Sequence, residues 1–140
     1  MEMRAYTAAD RAACLALFDG NAPEYFTAAE RAAYEDWLDA PQGSYFVVEH
    51  DGALAGCGGI AAESSGLASL TWLMVRRDLH GQGLGRFLVF YLLKQTPAGV
   101  SHVRLVTIPA VVGFFAKQGF RVREEGPGGV EMLKKLQVCS

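Results

Sequence analysis

Cysteine is scarce in this chain, long apolar runs are absent, and neither sign of charge is in excess. The 140 residues include 3 cysteines, Cys14, Cys57 and Cys139. They are odd in number and show no C-x-x-C or Cys/His ligand spacing, so the pattern offers neither a disulfide framework nor a metal site. They are expected to be buried or terminal thiols. No hydrophobic stretch approaches the length of a bilayer span, and Met1-Glu2-Met3-Arg4-Ala5 lacks the apolar core of a signal peptide. The expectation is therefore no membrane and a cytoplasmic location. The net charge is −2, and there is no recognised nucleic-acid motif, which argues against a nucleic-acid partner despite Arg76, Arg77, Arg86, Arg104, Arg121 and Arg123. Repeats and linkers are missing too, and residues 1–140 read as a single domain with one core.

Hydrophobic residues make up 51% and charged residues 20%, the balance of a globular protein rather than a disordered one. The charges are unevenly spread. Residues 1–75 hold 11 acids and 3 Lys/Arg, and residues 76–140 hold 4 acids and 10 Lys/Arg. A basic portion suits a ligand bearing phosphates and an acidic portion suits a cation such as an amine, although both also suit plain solvated helix faces.

A first strand is expected over Met3–Tyr6, followed by a helix capped at Thr7-Ala8-Ala9-Asp10 and running to about Phe18. Asp19 to Phe26 reads as a loop. Thr27-Ala28-Ala29-Glu30 repeats the capping pattern before a second helix with Tyr34, Trp37 and Leu38 inward, ended by Pro41. Tyr45–Glu49 and Ala53–Ala61 alternate as strands around an Asp51-Gly52 hairpin turn. Cys57-Gly58-Gly59 in the return strand suggests room for neighbouring side chains rather than a catalytic thiol. A turn at Glu63-Ser64-Ser65-Gly66 leads to a buried strand, Leu67–Val75. Beyond it, Leu84, Phe87, Leu88, Tyr91 and Leu92 mark one face of a helix. A strand over His102–Thr107, a helix from Pro109 to about Gln118, and strands near Phe120–Arg123 and Val130–Leu133 complete the order β-α-α-β-β-β-α-β-α-β-β.

The stretch around which this order is arranged is Val75-Arg76-Arg77-Asp78-Leu79-His80-Gly81-Gln82-Gly83-Leu84-Gly85-Arg86. Its glycines fall between a strand and a helix N-terminus, where unpaired N–H groups and the macrodipole favour an anion. Gly81, Gly83 and Gly85 lack the Cβ atoms that would keep one away. Arg76, Arg77 and Arg86 add positive charge, so a phosphate or pyrophosphate fits; a glycine turn that merely joins strand to helix is the alternative. The spacing G-x-G-x-G is not the dinucleotide fingerprint G-x-G-x-x-G, and Gly85-Arg86-Phe87 is not the end of a P-loop.

His80-Gly81-Gln82-Gly83-Leu84-Gly85 resembles the cofactor motif Arg/Gln-x-x-Gly-x-Gly/Ala of the GNAT superfamily of N-acetyltransferases, with His in the first place. Phe114-Phe115-Ala116-Lys117-Gln118-Gly119-Phe120 resembles that family's second mark, an aromatic pair followed by Glu-Lys-x-Gly-Phe. The resemblance implies an α+β fold with a mixed, mainly antiparallel sheet of about seven strands flanked by about four helices, split beside the glycine-loop strand. It implies acetyl-CoA as acyl donor, with its pantetheine arm paired to backbone near Leu73 and Val75. The pyrophosphate would lie on the loop from Gly81 through Gly83 and Gly85 to Arg86, with His80 a further phosphate partner when protonated. A backbone N–H at the end of the strand would polarise the acetyl carbonyl. A small-molecule or peptide amine would attack the thioester directly.

Such chemistry is helped by a base for the ammonium and an acid for the departing thiolate. The aromatic four residues before the motif glycine is often a Tyr in the family and is Phe115 here, which has no proton to give. Some relatives carry a Glu six residues before the position of Val75, and here that residue is Ser69. Glu24 and Tyr25 are the candidate catalytic residues, because their loop borders the acceptor site in the family; Tyr25 or a water on Thr107 could serve as the acid. The alternative is a non-catalytic acyl-CoA-binding or regulatory module of the same fold.

Overall fold

The computed structural model describes residues 2–22 and 24–136. Among them, strand β1 (Glu2–Ala5), helix α1 (Arg11–Asn21), helix α2 (Ala28–Asp39), strands β2 (Ser44–His50), β3 (Ala53–Ser64) and β4 (Leu67–Val75), helix α3 (Leu84–Lys94), strand β5 (His102–Thr107), helix α4 (Val112–Lys117) and strands β6 (Arg121–Gly126) and β7 (Gly129–Lys135) follow the expected order. The strands form one 7-stranded sheet in the order β1-β2-β3-β4-β5-β7-β6. Every neighbouring pair is antiparallel except β4 and β5.

Local chemistry accounts for the boundaries. Thr27 and Glu30 cap α2 reciprocally: the Thr27 hydroxyl accepts from the Glu30 N–H at 3.2 Å and the Glu30 carboxylate accepts from the Thr27 N–H at 3.0 Å. Between β2 and β3 the turn residues Asp51 (φ 53°) and Gly52 (φ 79°) are both left-handed, the geometry that lets a two-residue hairpin follow the strand twist. Arg4 lies across the N-terminus: it donates to both carboxylate oxygens of Asp10 at 2.8 Å, and Asp10 also accepts from the Thr7 N–H at 2.9 Å.

Alternate residues of each strand face different helices. Tyr45, Val47, Cys57 and Met74 pack on Cys14, Phe18, Tyr34 and Leu38 of α1 and α2. Ile60, Ala68, Leu70, Val103, Leu105 and Met132 pack on Val89 and Leu92 of α3 and Phe115 of α4. Each fully buried aliphatic side chain in such a layer contributes about 1.5–3 kcal/mol relative to exposure.

Three expectations need correction. Helix α1 does not stop near Phe18 but runs through Asp19 and Gly20 to Asn21, whose buried side-chain amide donates to the Leu17 carbonyl at 2.8 Å and ties the last turn down. Strand β3 extends through Ala62, Glu63 and Ser64, leaving only Ser65 and Gly66 for the turn. On α3 the buried positions are Leu84, Leu88, Val89 and Leu92, whereas Phe87 is 38% exposed. The apolar face is rotated because Val89 fills the sheet layer, and Phe87 pairs outside it with Tyr91 at 6.4 Å between ring centroids.

Candidate functional site

The parallel pairing of β4 with β5 lasts for Leu67↔His102, Ala68↔Val103 and Ser69↔Arg104, and the register ends there. Beyond that rung the strands part, and the sheet opens into a fork. Strand β4 also carries a bulge opposite Gly58, between the pairs Gly59↔Thr71 and Cys57↔Met74. Trp72 in the bulge has φ 43°, a conformation that L residues adopt only when the surroundings hold them there. The Tyr45 hydroxyl donates to the Trp72 carbonyl at 2.7 Å, and the Trp72 ring lies on Tyr34 with centroids 4.8 Å apart.

The glycines of β3 make room for this. A Cβ on Gly58 would stand 2.8 Å from Leu73 Cδ1 and 2.9 Å from Leu92 Cδ1, and one on Gly59 would stand 2.6 Å from Thr71 Oγ1. Cys57 beside them is fully buried, with its sulfur 3.1 Å from the Tyr45 hydroxyl oxygen. Burial raises the Tyr34 and Tyr45 phenols above their ordinary range, and the hydrogen bond to Cys57, together with burial, raises the Cys14 thiol. These groups stay protonated and closed to solvent; they brace the strand beneath the fork.

Strand β4 leads directly into the glycine loop. The Val75 carbonyl accepts from the Asn21 side-chain amide at 3.0 Å and from His80 Nε2 at 2.8 Å, so both of its lone pairs are taken within the protein. His80 therefore points back at its own strand. Gly81 (φ 79°) and Gly83 (φ 86°) are left-handed, and a Cβ on either would meet no atom within 4 Å, which leaves open space at the start of α3. Gly83 is the N-cap residue, with no side chain to satisfy the first-turn N–H groups. Gly85 has a different reason to be glycine: its Cβ would lie 3.2 Å from Phe114 Cζ, so it lets α3 approach α4. An uncapped N-terminus behind two open, left-handed glycines fits a phosphate or pyrophosphate. Arg86 on the first turn is exposed and makes no ion pair among the described residues.

The other arginines of the loop are engaged. Arg76 Nε donates to Asp78 at 2.7 Å and thereby lowers the Asp78 pKa. Arg77 forms an ion pair with Glu24 and lies over the Tyr25 ring at 5.7 Å, and Tyr25 meets His80 edge to face at 5.5 Å. Glu24 and Tyr25 thus join the loop after α1 to the glycine loop, and the Glu24 carboxylate already holds a cation. Phe115 is buried against Phe114 and Phe120.

A second cluster lies on the other side of the fork's base, and the sequence reading did not single it out as a site. Buried Ser69 donates from its hydroxyl to Glu63 Oε1 at 2.8 Å, and Arg104 Nη1 donates to the same oxygen at 3.0 Å. Arg104 also donates to Glu131 Oε2 from Nε at 3.1 Å and from Nη2 at 2.9 Å. The signal available in the sequence was the alternation Val103-Arg104-Leu105 and Val130-Glu131-Met132, which puts charged side chains on one strand face between buried ones. Glu63 itself carried no such signal, because it sits in a bulge of β3 between Ala62 and Ser64.

The chain was compared with known families and structures. The Acetyltransferase (GNAT) family matches residues 12–120. Among solved structures, Rv2747 from Mycobacterium tuberculosis in complex with CoA is similar at 20% identity and a TM-score of 0.77, over 98% of this chain and 100% of that one. An aminoglycoside 6'-N-acetyltransferase complexed with coenzyme A is similar at 15% identity and a TM-score of 0.80, over 100% and 99% of the two chains. N-acetylglutamate synthase from Neisseria gonorrhoeae, complexed with coenzyme A and N-acetyl-glutamate, is similar at 16% identity and a TM-score of 0.77, over 98% of this chain but 35% of that one. At these identities the structural likeness speaks for the fold.

Proposed function

Since this chain belongs to the GNAT acetyltransferase family, we propose that it moves the acetyl group of acetyl-CoA to the nitrogen of a small-molecule or peptide amine, in the cytoplasm, as a single N-acetyltransferase domain. The observation that carries this reading is the pair of open, left-handed glycines, Gly81 and Gly83, at the uncapped N-terminus of α3, reached directly from the strand that borders the fork.

In this reading the N–H groups of the first turn of α3 and the Arg86 guanidinium hold the pyrophosphate, and the edge of β4 exposed beyond Ser69 receives the pantetheine arm near Leu73. Bound acetyl-CoA supplies an activated thioester. At Val75 only the amide side is left for pairing, because Asn21 and His80 occupy the carbonyl. In this reading His80 serves as a strut of the loop, with its Nε2 turned toward the Val75 carbonyl. Glu24 and Tyr25 hold the acceptor-side loop against the cofactor loop through Arg77 and His80. A donor placed where the acetyl carbonyl gains negative charge is commonly worth about 3–4 kcal/mol of barrier. The bulge at Trp72 and Leu73 is the place in β4 where a backbone N–H can turn out of the ladder to do this.

One observation favours a second reading. Phe115 cannot protonate a departing thiolate, as a non-catalytic acyl-CoA-binding module would allow; a thiol of pKa about 8.5 nevertheless leaves without help. Release of CoA thiol from acetyl-CoA, measured against a panel of amines with CoA binding in parallel, separates the two. Amine-dependent release is the expected result. Binding without release by any amine assigns the module, and no binding removes both readings.

A further inference from the structure

The proton that must leave the acceptor ammonium has no assigned destination, and the cluster at the base of the fork offers one. We propose that Glu63 is the proton acceptor of the transfer reaction, held in place by Ser69 and Arg104; this rests on the acetyltransferase reading above.

The placement follows from the backbone. Ala61 faces Ser69, and Ala62 faces Ala68, but the next pair is Ser64↔Leu67, so Glu63 is the extra residue of a bulge. Bulges re-aim side chains, and this one turns the Glu63 carboxylate over Ser69. Ser69 is the last residue of β4 paired with β5. A strand position that carries a serine is therefore served by a carboxylate from the neighbouring strand.

Hydrogen bonding selects Glu63 over its partner. Both donors to Glu63 act on Oε1, leaving Oε2 without a donor among the described residues. Glu131 has Arg104 on Oε2 and Arg123 at 3.5 Å from Oε1. Glu63 and Glu131 are matched by Arg104 and Arg123, and Lys135, opposite His102, and Arg121, opposite Leu133, lie on the same sheet face, so the cluster is balanced in charge and Glu63 is singled out by its free oxygen alone. The remaining titratable group on this face of β5 is His102, whose Nδ1 is bonded to the Ser101 hydroxyl at 2.8 Å. Two residues beyond Ser69, on the same face of β4 and toward the fork, the Thr71 hydroxyl is buried without a partner.

The proton balance is closed. One ammonium proton passes to Glu63 Oε2 and on to solvent. The freed nitrogen pair forms the C–N bond to the acetyl carbon as the C–S bond breaks with its electrons on sulfur, and the second nitrogen proton, through solvent, neutralises the departing thiolate.

The test is Glu63→Gln, which keeps the acceptor oxygen facing Ser69 and Arg104, assayed with the best amine from the panel between pH 6 and 10. A positioned base contributes about 100- to 10,000-fold, so kcat/KM for the amine should fall at least about 100-fold at pH 7. CoA affinity should stay within about twofold. The deficit should shrink as the pH approaches the amine's own pKa, where neutral amine no longer needs a base. Glu63→Asp should recover part of the loss and Ser69→Ala should show a smaller one. A loss below threefold at pH 7, a loss equal at all pH values, or a parallel loss of CoA affinity overturns the assignment. Absence of turnover by the unaltered protein with every amine removes the acetyltransferase reading itself, and this assignment with it.

Discussion

Gly83 and Gly99 provide a matched pair for testing the cofactor cradle. Both have φ 86°, and a Cβ at either position would meet no atom within 4 Å. Alanine at either site therefore creates no clash inside the protein and the same backbone strain, about 1–2 kcal/mol for an L residue held left-handed, partly offset by a less disordered unfolded chain. The net cost is about 1 kcal/mol, or a fall in Tm of about 2–5 °C for a chain of this length. The two sites differ in position. Gly83 opens α3, and Gly99 follows its far end, about 16 Å away along an 11-residue helix.

If the first turn of α3 holds the pyrophosphate, a methyl group at residue 83 stands where the anion approaches. Losing one charge-assisted N–H contact, at about 1.5–3 kcal/mol, weakens CoA binding about 10- to 100-fold. Gly99→Ala should leave that affinity unchanged. Calorimetric titration with CoA and thermal melting of both variants give the two readouts. Equal melting shifts with unchanged CoA affinity in Gly83→Ala would refute the cradle, since the strain would then be present without consequence for the ligand.

Two further outcomes concern stability. The Arg4 guanidinium beside Asp10, with the Thr7 N–H, holds the Asp10 carboxyl down at about 2. A depressed pKa gives stability that is complete above the ordinary carboxylate range and is lost as pH falls from about 4 toward 2; Asp10→Asn should cost about 1–2 kcal/mol at pH 7 and nearly nothing by pH 2, as read from urea midpoints. Gly58→Ala should destabilise by about 1–3 kcal/mol, because its Cβ would press on Leu73 and Leu92 at 2.8 and 2.9 Å, and denaturant unfolding with an unchanged m-value would check it.

What could be read in advance was governed by local rules. The capping box at Thr27 and Glu30, the Asp51-Gly52 turn and the order of all strands and main helices needed only near neighbours in sequence. Asn21 reads as a loop residue because Asp, Gly and Asn in succession are turn formers. Its buried amide instead joins Leu17 to Val75, 54 residues away, and that second contact has no sequence signature. Phe87 satisfied the helical period and still faces outward, since a period defines a face only to within the width that the packing partner decides. Glu63 reads as a turn residue because Glu-Ser-Ser-Gly resembles a turn. The bulge that keeps it in β3 depends on the pairing with β4, a tertiary fact.

The division of charge was legible along the chain, but its meaning lies in space. Dividing the sequence at residue 75 separates an acidic part from a basic one, yet Arg104, Arg123 and Glu131 in the basic part join Glu63 in one charge-balanced cluster. The useful axis is β4 itself. Ser69 stands at its paired end beside the carboxylates, and Val75 stands at the other end before Arg76, Arg77 and Arg86. Six residues of strand separate these ends by about 20 Å. Exposed charges that far apart are screened at physiological ionic strength, where the Debye length is about 8 Å. The charges of the glycine loop therefore act on their own end of the strand, and each end keeps its own local field. On the acetyltransferase reading, the polyphosphate belongs at the glycine-loop end of this strand and the acceptor amine at the Ser69 end, with the fork between them.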